Sequence, residues 1–544
     1  MKKIIVIAAL FFLGHIMYAQ SWKTYPYHQN GTVLNFPEDE GRHSAEPTEW
    51  WYTCAHVTGD STGTHYSFML TYFYYPAYGF QGFRIFNLAN DDSGEFYPET
   101  LPCNYSVMAT DHLNIVANPF LGTQENWQTK TDSASNLIPF EYTLSAVSAN
   151  GSVNMDLVAL KPPLMVGGDG FLYEGASDYT YYYSQTLMDA HGTITLNGIT
   201  ETFTGTAWID RQYGTFNPYG GEDYEWFGIQ LSNGMDLNVW NIFTTQNLIP
   251  DTCTYRISTA WIDDSTAFVS SAFELQRTKF AYTSDSLRCY SQQWRYTDTG
   301  IDLLMTVLHP DCEVSLPFRF YEGSMEITGV VNGDTVTGRG FAELLHSYSN
   351  PAIQVMAPNT YCGWDGTSPV YWHLQNQDDG RPVYYDISVS TDDQISFLPI
   401  ASHITDTLYN WDVSSFSQGT VCWLKVNAYS YDSTLTGNDL SDTSFVIGPL
   451  SVEQFSGNND FQVSAYPNPF CDNVLIQCNV PSGEGFSVRI FDISGREIRE
   501  LTTGSDIIEW NGTDENGNAV RQGTLLLRIS SGNKTGNILI NRTK

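Results

Sequence analysis

Basic residues are scarce in this sequence, and the motifs of common cofactor and metal chemistry are missing. Lys and Arg number 25 against 60 Asp and Glu, which gives a formal net charge of −35 at pH 7. Such a chain repels phosphate backbones, so nucleic acid is not an expected partner. The sequence has no C-x-x-C pair, no phosphate-binding Gly-rich loop and no G-x-S-x-G elbow. We therefore expect neither a cofactor nor a metal.

Long apolar runs are also absent after the amino terminus. Lys2 and Lys3 precede an apolar run at residues 4–18, and Ala19 then offers a small residue. This pattern is typical of a secretory signal peptide, and the run is shorter than the ~20 apolar residues of a membrane span. We predict a signal peptide at residues 1–19, cleavage near its end, and no transmembrane segment in the mature chain.

Helical periodicity is missing outside the amino terminus, and aromatic residues are abundant at 14%. Short β-branched and aromatic runs separated by Gly, Asn and Asp favour an all-β fold. Alternate residues of the stretch 66–74 share one face of a predicted strand, which is either a core or the wall of an apolar cavity. The nine cysteines are an odd number, so at least one thiol is expected to be free or intermolecular.

An internal repeat indicates two related β-units in tandem. Asn-Gly dipeptides at 197–198 and 332–333 each predict a hairpin turn. In the strand after each turn, a Gly is followed at +3 by an aromatic residue and at +5 by a carboxylate. Residues two apart on a strand share a face. The two pairs predicted to project together are Trp208 with Asp210, and Phe341 with Glu343.

The last part of the chain carries a specific order of motifs. These are Y-P-N-P-F at 466–470, F-D-I-S-G-R at 491–496, W-N-G at 510–512 and a final strand at 523–529. They resemble the C-terminal sorting domain of the type IX secretion system. The resemblance implies that residues 462–544 engage that secretion machinery and that the protein is secreted or attached to the outer-membrane surface.

A second resemblance covers about residues 45–350. It rests on E-W-W-Y at 49–52, G-T-A-W-I-D-R-Q-Y-G at 205–214, Y-E-W-F-G-I-Q-L at 224–231 and G-R-G-F-A-E-L at 338–344. These motifs resemble the lipocalin-like family of carotenoid 1,2-hydratases and AttH-like proteins. The resemblance implies a pair of lipocalin-like β-barrels and an apolar isoprenoid or lipid ligand.

The expected architecture is all-β, with tandem lipocalin-like barrels, a third sandwich and a small β-sandwich sorting domain. We place the first barrel at 20–230 and the second at 231–350. Residues 351–450 contain a Trp strand, a Tyr-rich strand and a W-x-V-x-A strand, which resemble a fibronectin type III-like domain. Residues 451–461 are predicted to be a linker.

The implied chemistry is the addition of water across an isoprenoid double bond. An alkene must first be protonated by a carboxylic acid that an apolar pocket keeps neutral, and aromatic faces stabilise the resulting cation. Asp210 matches the family's acid, with Trp208 beside it. Tyr181 and Tyr183 stand where the hydratases carry a His-x-Trp pair, and complete the predicted catalytic set. The predicted ligand-binding residues are Glu49, Trp50, Trp51 and Tyr72.

Several alternatives remain open at this stage. Asp210 is alternatively a buried carboxylate paired with Arg211 or Arg84, and the E-W-W-Y tetrad alternatively plugs the barrel floor. Glu343 is expected to be structural. The hypotheses for function are a hydro-lyase or isomerase acting on an isoprenoid, a non-catalytic surface carrier of an apolar ligand, and an adhesin-like scaffold whose barrel interior its own side chains fill.

Overall fold

A computed structural model describes residues 21–217, 220–264, 266–359, 362–448, 463–478, 485–532 and 534–543. The predicted signal peptide at 1–19 and the predicted linker at 451–461 lie outside the described residues. The chain divides into two compact units. The first contains both predicted barrels and much of the segment that follows them, and the second contains the C-terminal tail.

The first sheet closes into a barrel. Antiparallel strands follow one another from β1 to β8, and β8 then pairs with β11, which pairs with β12 and so returns to β1. Ten strands complete this ring, and β9 and β10 pair with β11 outside it. The strands are β1 Thr48–Gly59, β2 His65–Ala77, β3 Phe80–Asn90, β4 Glu95–Met108, β5 Asn114–Pro119, β6 Glu125–Thr131, β7 Leu137–Val147, β8 Gly151–Ala159, β9 Leu164–Met165, β10 Phe171–Glu174, β11 Asp178–Leu196 and β12 Ile199–Gly214.

The interior of the first barrel is filled by its own side chains. The segment before β1, which includes a 3₁₀ helix at Glu38–Glu40, contributes the buried residues Trp22, Leu34 and Phe36 to this core. The predicted apolar face of β2 also points inward, and Tyr66, Phe68, Leu70 and Tyr72 are all buried there. Of the two interpretations of that face, the structure supports a packed core.

The second sheet follows the same meander and surrounds a core of its own. Its strand order is β16-β15-β14-β13-β22-β21-β19-β18-β17, and β20 pairs with β21. The strands are β13 Asp223–Leu231, β14 Asp236–Phe243, β15 Arg256–Asp263, β16 Thr266–Ser270, β17 Glu274–Tyr282, β18 Cys289–Asp298, β19 Ile301–Val307, β20 Glu313–Val314, β21 Phe320–Val331 and β22 Asp334–Leu344.

The two sheets meet between Gly214 and Asp223, because β13 pairs with β14 and β22 of the second sheet. The predicted boundary at 230/231 therefore lies one strand later than the boundary between the sheets. The reason is that β13 joins the second sheet by pairing with β22, as β1 joins the first sheet by pairing with β12. A strand that closes a sheet shows no local sign of which sheet it joins.

Both predicted hairpins are present, and their turns explain the Asn-Gly dipeptides. Asn197 and Gly198 have φ of 50° and 82°, and Asn332 and Gly333 have φ of 51° and 94°. Two consecutive residues with positive φ form the turn whose twist matches that of paired strands. These turns join β11 to β12 and β21 to β22.

Short strands continue after the barrels. In the first unit β25 lies between β23 and β28, β26 pairs with β27 and β29, and β29 pairs with β30; in the second unit β24 pairs with β31. The bounds are β23 Ile353–Ala357, β24 Gly363–Trp364, β25 Thr367–Leu374, β26 Val383–Ser390, β27 Leu398–Ile404, β28 Leu408–Asp412, β29 Val421–Ser430, β30 Thr436–Leu440 and β31 Phe445–Ile447. The three predicted strands fall within β25, β26 and β29, while the fibronectin type III-like assignment stays a prediction.

The C-terminal tail forms two small sheets around one core. The first has the order β32-β33-β36, and the second has the order β35-β34-β37-β38. The strands are β32 Val463–Tyr466, β33 Val474–Cys478, β34 Phe486–Asp492, β35 Glu497–Thr503, β36 Ile507–Trp510, β37 Gly523–Ser531 and β38 Lys534–Arg542. Trp510 of the W-N-G motif is buried in this core, and Gly495 of the F-D-I-S-G-R motif supplies the positive φ of the turn after β34.

Replacement of Phe36 by Ala tests the packed interior of the first barrel. Phe36 is fully buried and lies edge-on to Tyr183 with ring centroids 4.8 Å apart. We expect Phe36→Ala to lower the free energy of unfolding by about 3–5 kcal/mol, because the substitution leaves a cavity in the core. Urea denaturation followed by tryptophan fluorescence measures this change.

The matched control is Val33→Ala in the same segment, where the side chain is 44% exposed. Its free energy of unfolding should change by no more than about 0.5 kcal/mol. Equal effects of the two substitutions would contradict a barrel filled by this segment.

Candidate functional site

The outer faces of the two barrels pack against each other, and the repeat determines which residues meet there. In β12, Ala207 and Ile209 point into the first barrel, so Trp208 and Asp210 point out of it. In β22, Ala342 lies in the second core, and Phe341 points outward to the same interface. The predicted pairing of faces in both hairpins is confirmed.

A cavity with an enclosed volume of about 60 Å³ and an open mouth lies between these outer faces. Trp50, Phe216, Tyr224 and Phe318 are partly exposed at the mouth. Most of the remaining lining is buried and apolar. The aromatic residues of this deeper part are Phe73, Phe83, Trp226, Trp240 and Phe320. The site therefore lies between the barrels, whereas the interior of the first barrel is filled.

Asp210 lies in the wall of this cavity and is 4% exposed. The Tyr182 hydroxyl donates a hydrogen bond to its Oδ2 at 2.5 Å, and the Trp208 indole N–H donates to its Oδ1 at 2.6 Å. Ser184 is its cross-strand neighbour on β11 and Tyr52 its neighbour on β1. Four side chains of three adjacent strands therefore surround this carboxyl group.

Burial raises the pKa of Asp210 to about 7, although hydrogen bonds from Ser184, Tyr182 and Trp208 oppose the shift. The nearby negative charge of Glu343 raises it further. Removal from water disfavours the charged form when no cation is close. A carboxyl group with such a pKa is able both to give and to take a proton near neutral pH.

The predicted ion pairs of Asp210 are not formed among the described residues. Arg211 binds Glu49, and Arg84 binds Glu99 and Glu125. The reason is the alternation of β12, which turns Arg211 into the barrel and Asp210 out of it.

Tyr182 ties the two barrels together. Besides donating to Asp210, its hydroxyl oxygen accepts hydrogen bonds from the Trp226 indole at 2.9 Å and from the Asn238 amide at 2.7 Å. Both donors belong to the second barrel. The Asn238 amide also donates to Ser184 Oγ at 3.1 Å, so this polar contact spans the interface and fixes the side chain next to Asp210.

Tyr181 and Tyr183 do not lie with Asp210, and Tyr182 takes the place predicted for them. Tyr183 is buried inside the first barrel, and Tyr181 stacks on Tyr213 with ring centroids 4.9 Å apart. A β-bulge between Gln185 and Met188 is the cause, because an extra residue reverses the alternation of β11 on its two sides. Nothing in the local sequence signals this bulge.

The predicted ligand-binding residues separate into two groups. Trp50 lines the cavity mouth, where it stacks on Phe73 at 5.2 Å. Trp51 points into the first barrel and donates from its indole to the Glu40 carbonyl at 2.8 Å. Tyr72 is also inside the barrel, and its hydroxyl donates to Glu125 at 2.9 Å.

Glu49 is fully buried away from the cavity and forms ion pairs with Arg42 and Arg211. The structure therefore assigns Glu49, Trp51 and Tyr72 to the interior of the first barrel and leaves Trp50 at the cavity. Within the E-W-W-Y tetrad, Glu49 and Trp51 fit the alternative of a barrel plug, whereas Trp50 and Tyr52 line the cavity.

The interface also contains a pair of acidic residues that sequence reasoning did not recognise as a pair. Glu343 lines the cavity, and Glu322 lies directly opposite it on β21. The repeat had placed Glu343 on this face, and the expectation that it is structural stays a prediction; no signal in the sequence places Glu322 beside it. Within the described part of the chain, no cluster of three or more His, Cys, Asp or Glu side chains is arranged to hold a metal ion.

Paired β-barrels with a cavity between their outer faces define the class of protein. Residues 27–348 match the AttH-like family, and the chain belongs to this family. Residues 464–541 match the secretion system C-terminal sorting domain. The protein is therefore secreted or exposed at the cell surface, and it engages the secretion machinery through this tail. Among the described residues, no helix has the length and apolar character needed to cross a membrane.

The chain is similar to solved structures. A protein from Nitrosomonas europaea assigned as an AttH is 19% identical, with a TM-score of 0.50, and the match covers 58% of this chain and 98% of that one. Kievitone hydratase from Nectria haematococca is 16% identical, with a TM-score of 0.48 and coverage of 58% and 93%. No curated protein matches the chain.

The raised pKa of Asp210 predicts a specific pH dependence of stability. The folded carboxyl group holds its proton up to about pH 7, compared with its ordinary pKa of 3.8. Unfolding releases this proton between those values, so a rise in pH favours the unfolded state. The contribution of Asp210 to the free energy of unfolding should fall by about 4 kcal/mol between pH 4 and pH 7.

The comparison of wild type with Asp210→Asn in urea at several pH values isolates this contribution. The free energy of unfolding of wild type minus that of Asp210→Asn should decrease steadily as the pH rises from 4 to 7. Asp169→Asn is the control, since Asp169 is partly exposed in a turn. A difference that is independent of pH for Asp210→Asn would contradict a buried, protonated carboxyl group.

Proposed function

We propose that the cavity between the barrels binds an apolar, unsaturated small molecule and that Asp210 transfers a proton to it. The observation that carries this proposal is a buried carboxyl group, without a cationic partner among the described residues, in the wall of an aromatic cavity. The expected ligand is an isoprenoid or a similar lipid. The expected reaction is hydration or isomerisation of a carbon–carbon double bond.

In hydration, neutral Asp210 gives its proton to one carbon of the double bond, and the π electrons form the new carbon–hydrogen bond. The neighbouring carbon becomes a cation, and water adds to it. The oxonium then returns a proton to the Asp210 carboxylate, so the acid is regenerated and the net change is the addition of one water. The reaction needs no oxidant or reductant.

The lining of the cavity supports a cationic intermediate. Aromatic faces attract a cation through their negative π-surface. Trp226 and Trp240 are buried in the deeper cavity, and Tyr52 lies edge-on to Trp226 with ring centroids 5.5 Å apart. The same rings offer flat apolar faces to a polyene.

A second candidate function is a non-catalytic carrier of an apolar ligand. The observation that favours it is that both Asp210 oxygens already accept hydrogen bonds from the protein, at 2.5 and 2.6 Å. Such donors stabilise the ionised carboxylate and tie the group into the interface. The filled interior of the first barrel also favours the scaffold hypothesis for that barrel, but it leaves the cavity outside open to a ligand.

We also propose that residues 1–19 are a signal peptide and that residues 351–450 form a fibronectin type III-like spacer. The strands β25, β26 and β29 support a sandwich in that region. In this arrangement the barrels act outside the cell, where apolar molecules need a carrier or a modifying enzyme at the surface.

Substitution of Asp210 distinguishes the enzyme hypothesis from the carrier hypothesis. Wild type and Asp210→Asn are incubated with farnesol, geranylgeraniol and squalene, and the products are analysed by chromatography and mass spectrometry. For an enzyme, Asp210→Asn should lose product formation by a factor of about 10² or more but still bind the compounds. Turnover retained in this variant would rule out Asp210 as the acid, and unchanged ligand in wild type would favour the carrier.

Replacement of Trp50 tests the position of the ligand. We use retinol, a fluorescent isoprenoid alcohol, and follow the quenching of tryptophan emission. Trp50→Ala should weaken binding about 10-fold, because it removes a large aromatic face from the cavity mouth. The control Tyr371→Ala, at a position 40% exposed in β25, should leave the affinity unchanged. Equal affinities for wild type and Trp50→Ala would place the ligand elsewhere.

A further inference from the structure

A pair of glutamates belongs to the wall that the second barrel contributes to the interface. Glu322 on β21 and Glu343 on β22 are direct cross-strand partners. The Tyr52 hydroxyl of the first barrel donates to Glu322 Oε1 at 2.9 Å, and the Tyr224 hydroxyl donates to Glu343 Oε1. Glu322 is 1% exposed, whereas Glu343 is partly exposed and lines the cavity.

No cation compensates the two glutamates among the described residues. Neither forms an ion pair with a Lys, Arg or His there, and the two residues face each other across the pairing of β21 with β22. Burial raises the pKa of both, and the charge of Glu343 raises the pKa of Glu322 further. Two adjacent carboxyl groups cannot both ionise without a large cost. Ionisation of one glutamate therefore opposes ionisation of the other.

Asp210 and Glu343 occupy equivalent positions in the repeat and line the same cavity. Asp210 belongs to the hairpin β11–β12, and Glu343 belongs to the hairpin β21–β22, so they enter from different barrels. A ligand between the barrels has one titratable carboxyl group on each side. This arrangement suits a reaction in which a proton arrives at one carbon and another leaves from a different carbon.

We infer that Glu343, supported by Glu322, is a second proton-transfer residue of the cavity, and that the reaction is migration of a carbon–carbon double bond in an apolar isoprenoid. This inference rests on the proposed function of Asp210. It extends that function by specifying isomerisation in place of hydration and by assigning the base. Glu322 is a positioning residue, because it acts on the substrate only through Glu343.

The steps balance without any added reagent. Asp210 gives its proton to one carbon of the double bond and becomes a carboxylate, and the neighbouring carbon becomes a cation. Glu343 removes a proton from the carbon on the far side of the cation, and the electrons of that carbon–hydrogen bond form the new double bond. Glu343 then carries the abstracted proton. Exchange with water at the cavity mouth returns one proton to Asp210 and removes one from Glu343.

The test is turnover of farnesol, geranylgeraniol and squalene in D₂O by the full chain. Isomerisation should yield a product with one deuterium in place of one hydrogen and no added water, whereas hydration adds water. Glu343→Gln should lower the kcat for this isomer by about 10²-fold or more, with little change in KM. The wild-type isomer carrying deuterium, together with this loss, supports the inference.

The matched control is Glu326→Gln, the same change at an exposed position of β21, the strand paired with that of Glu343, and it should retain wild-type kcat. Glu322→Leu should lower the kcat for the isomer and shift the limb of the pH profile that reports Glu343 to higher pH, because it removes the hydrogen bond by which Glu322 lowers the pKa of Glu343. A purely structural role of Glu322 would not move that limb. Circular dichroism verifies that each variant is folded.

Different failures have different meanings. An isomer formed at the wild-type rate by Glu343→Gln overturns the inference while Asp210 remains the acid. A hydrated product also overturns it and supports the proposed function. Absence of any product from wild type, with retinol still bound, overturns both the inference and the catalytic role of Asp210, and supports the carrier.

Discussion

The structure of the site depends on the burial of one carboxyl group between two barrels. Asp210 lies on the outside of the first barrel, where a lone barrel would expose it to water. Packing of the second barrel removes that water, and the cost is offset by hydrogen bonds from Tyr182 and Trp208. Tyr182 in turn accepts hydrogen bonds from Trp226 and Asn238 of the second barrel. The contact that joins the barrels is therefore the same contact that sets the protonation of Asp210.

The inner and outer faces of the barrels have different roles. The inner face of the first barrel is occupied by aromatic residues of the chain itself, among them Trp127 and Phe140, so it provides stability. Its outer face, with that of the second barrel, forms the cavity. A strand has two faces with alternate side chains, which allows one hairpin to build a core on one side and a site on the other.

The repeat gives this cavity an approximate symmetry, but the side chains around the equivalent positions differ. Asp210 and Glu343 are equivalent, but their cross-strand partners differ: Ser184 faces Asp210, and Glu322 faces Glu343. One wall therefore holds a single carboxyl group surrounded by hydrogen-bond donors, and the other holds two carboxyl groups that repel each other. The repeat therefore places two acids in different surroundings around one cavity.

The sequence by itself determined the elements and their faces. Asn-Gly turns, the period of two after each turn and the motifs of the tail predicted both hairpins, the outward pairing of Trp208 with Asp210, and the sorting domain. The tertiary structure decided which tyrosine meets Asp210, because the bulge between Gln185 and Met188 reverses the alternation of β11. It also decided that Glu49 joins Arg211 inside the barrel. Alternation in a sequence defines two faces, but only the packing of the second barrel determines which face is the site.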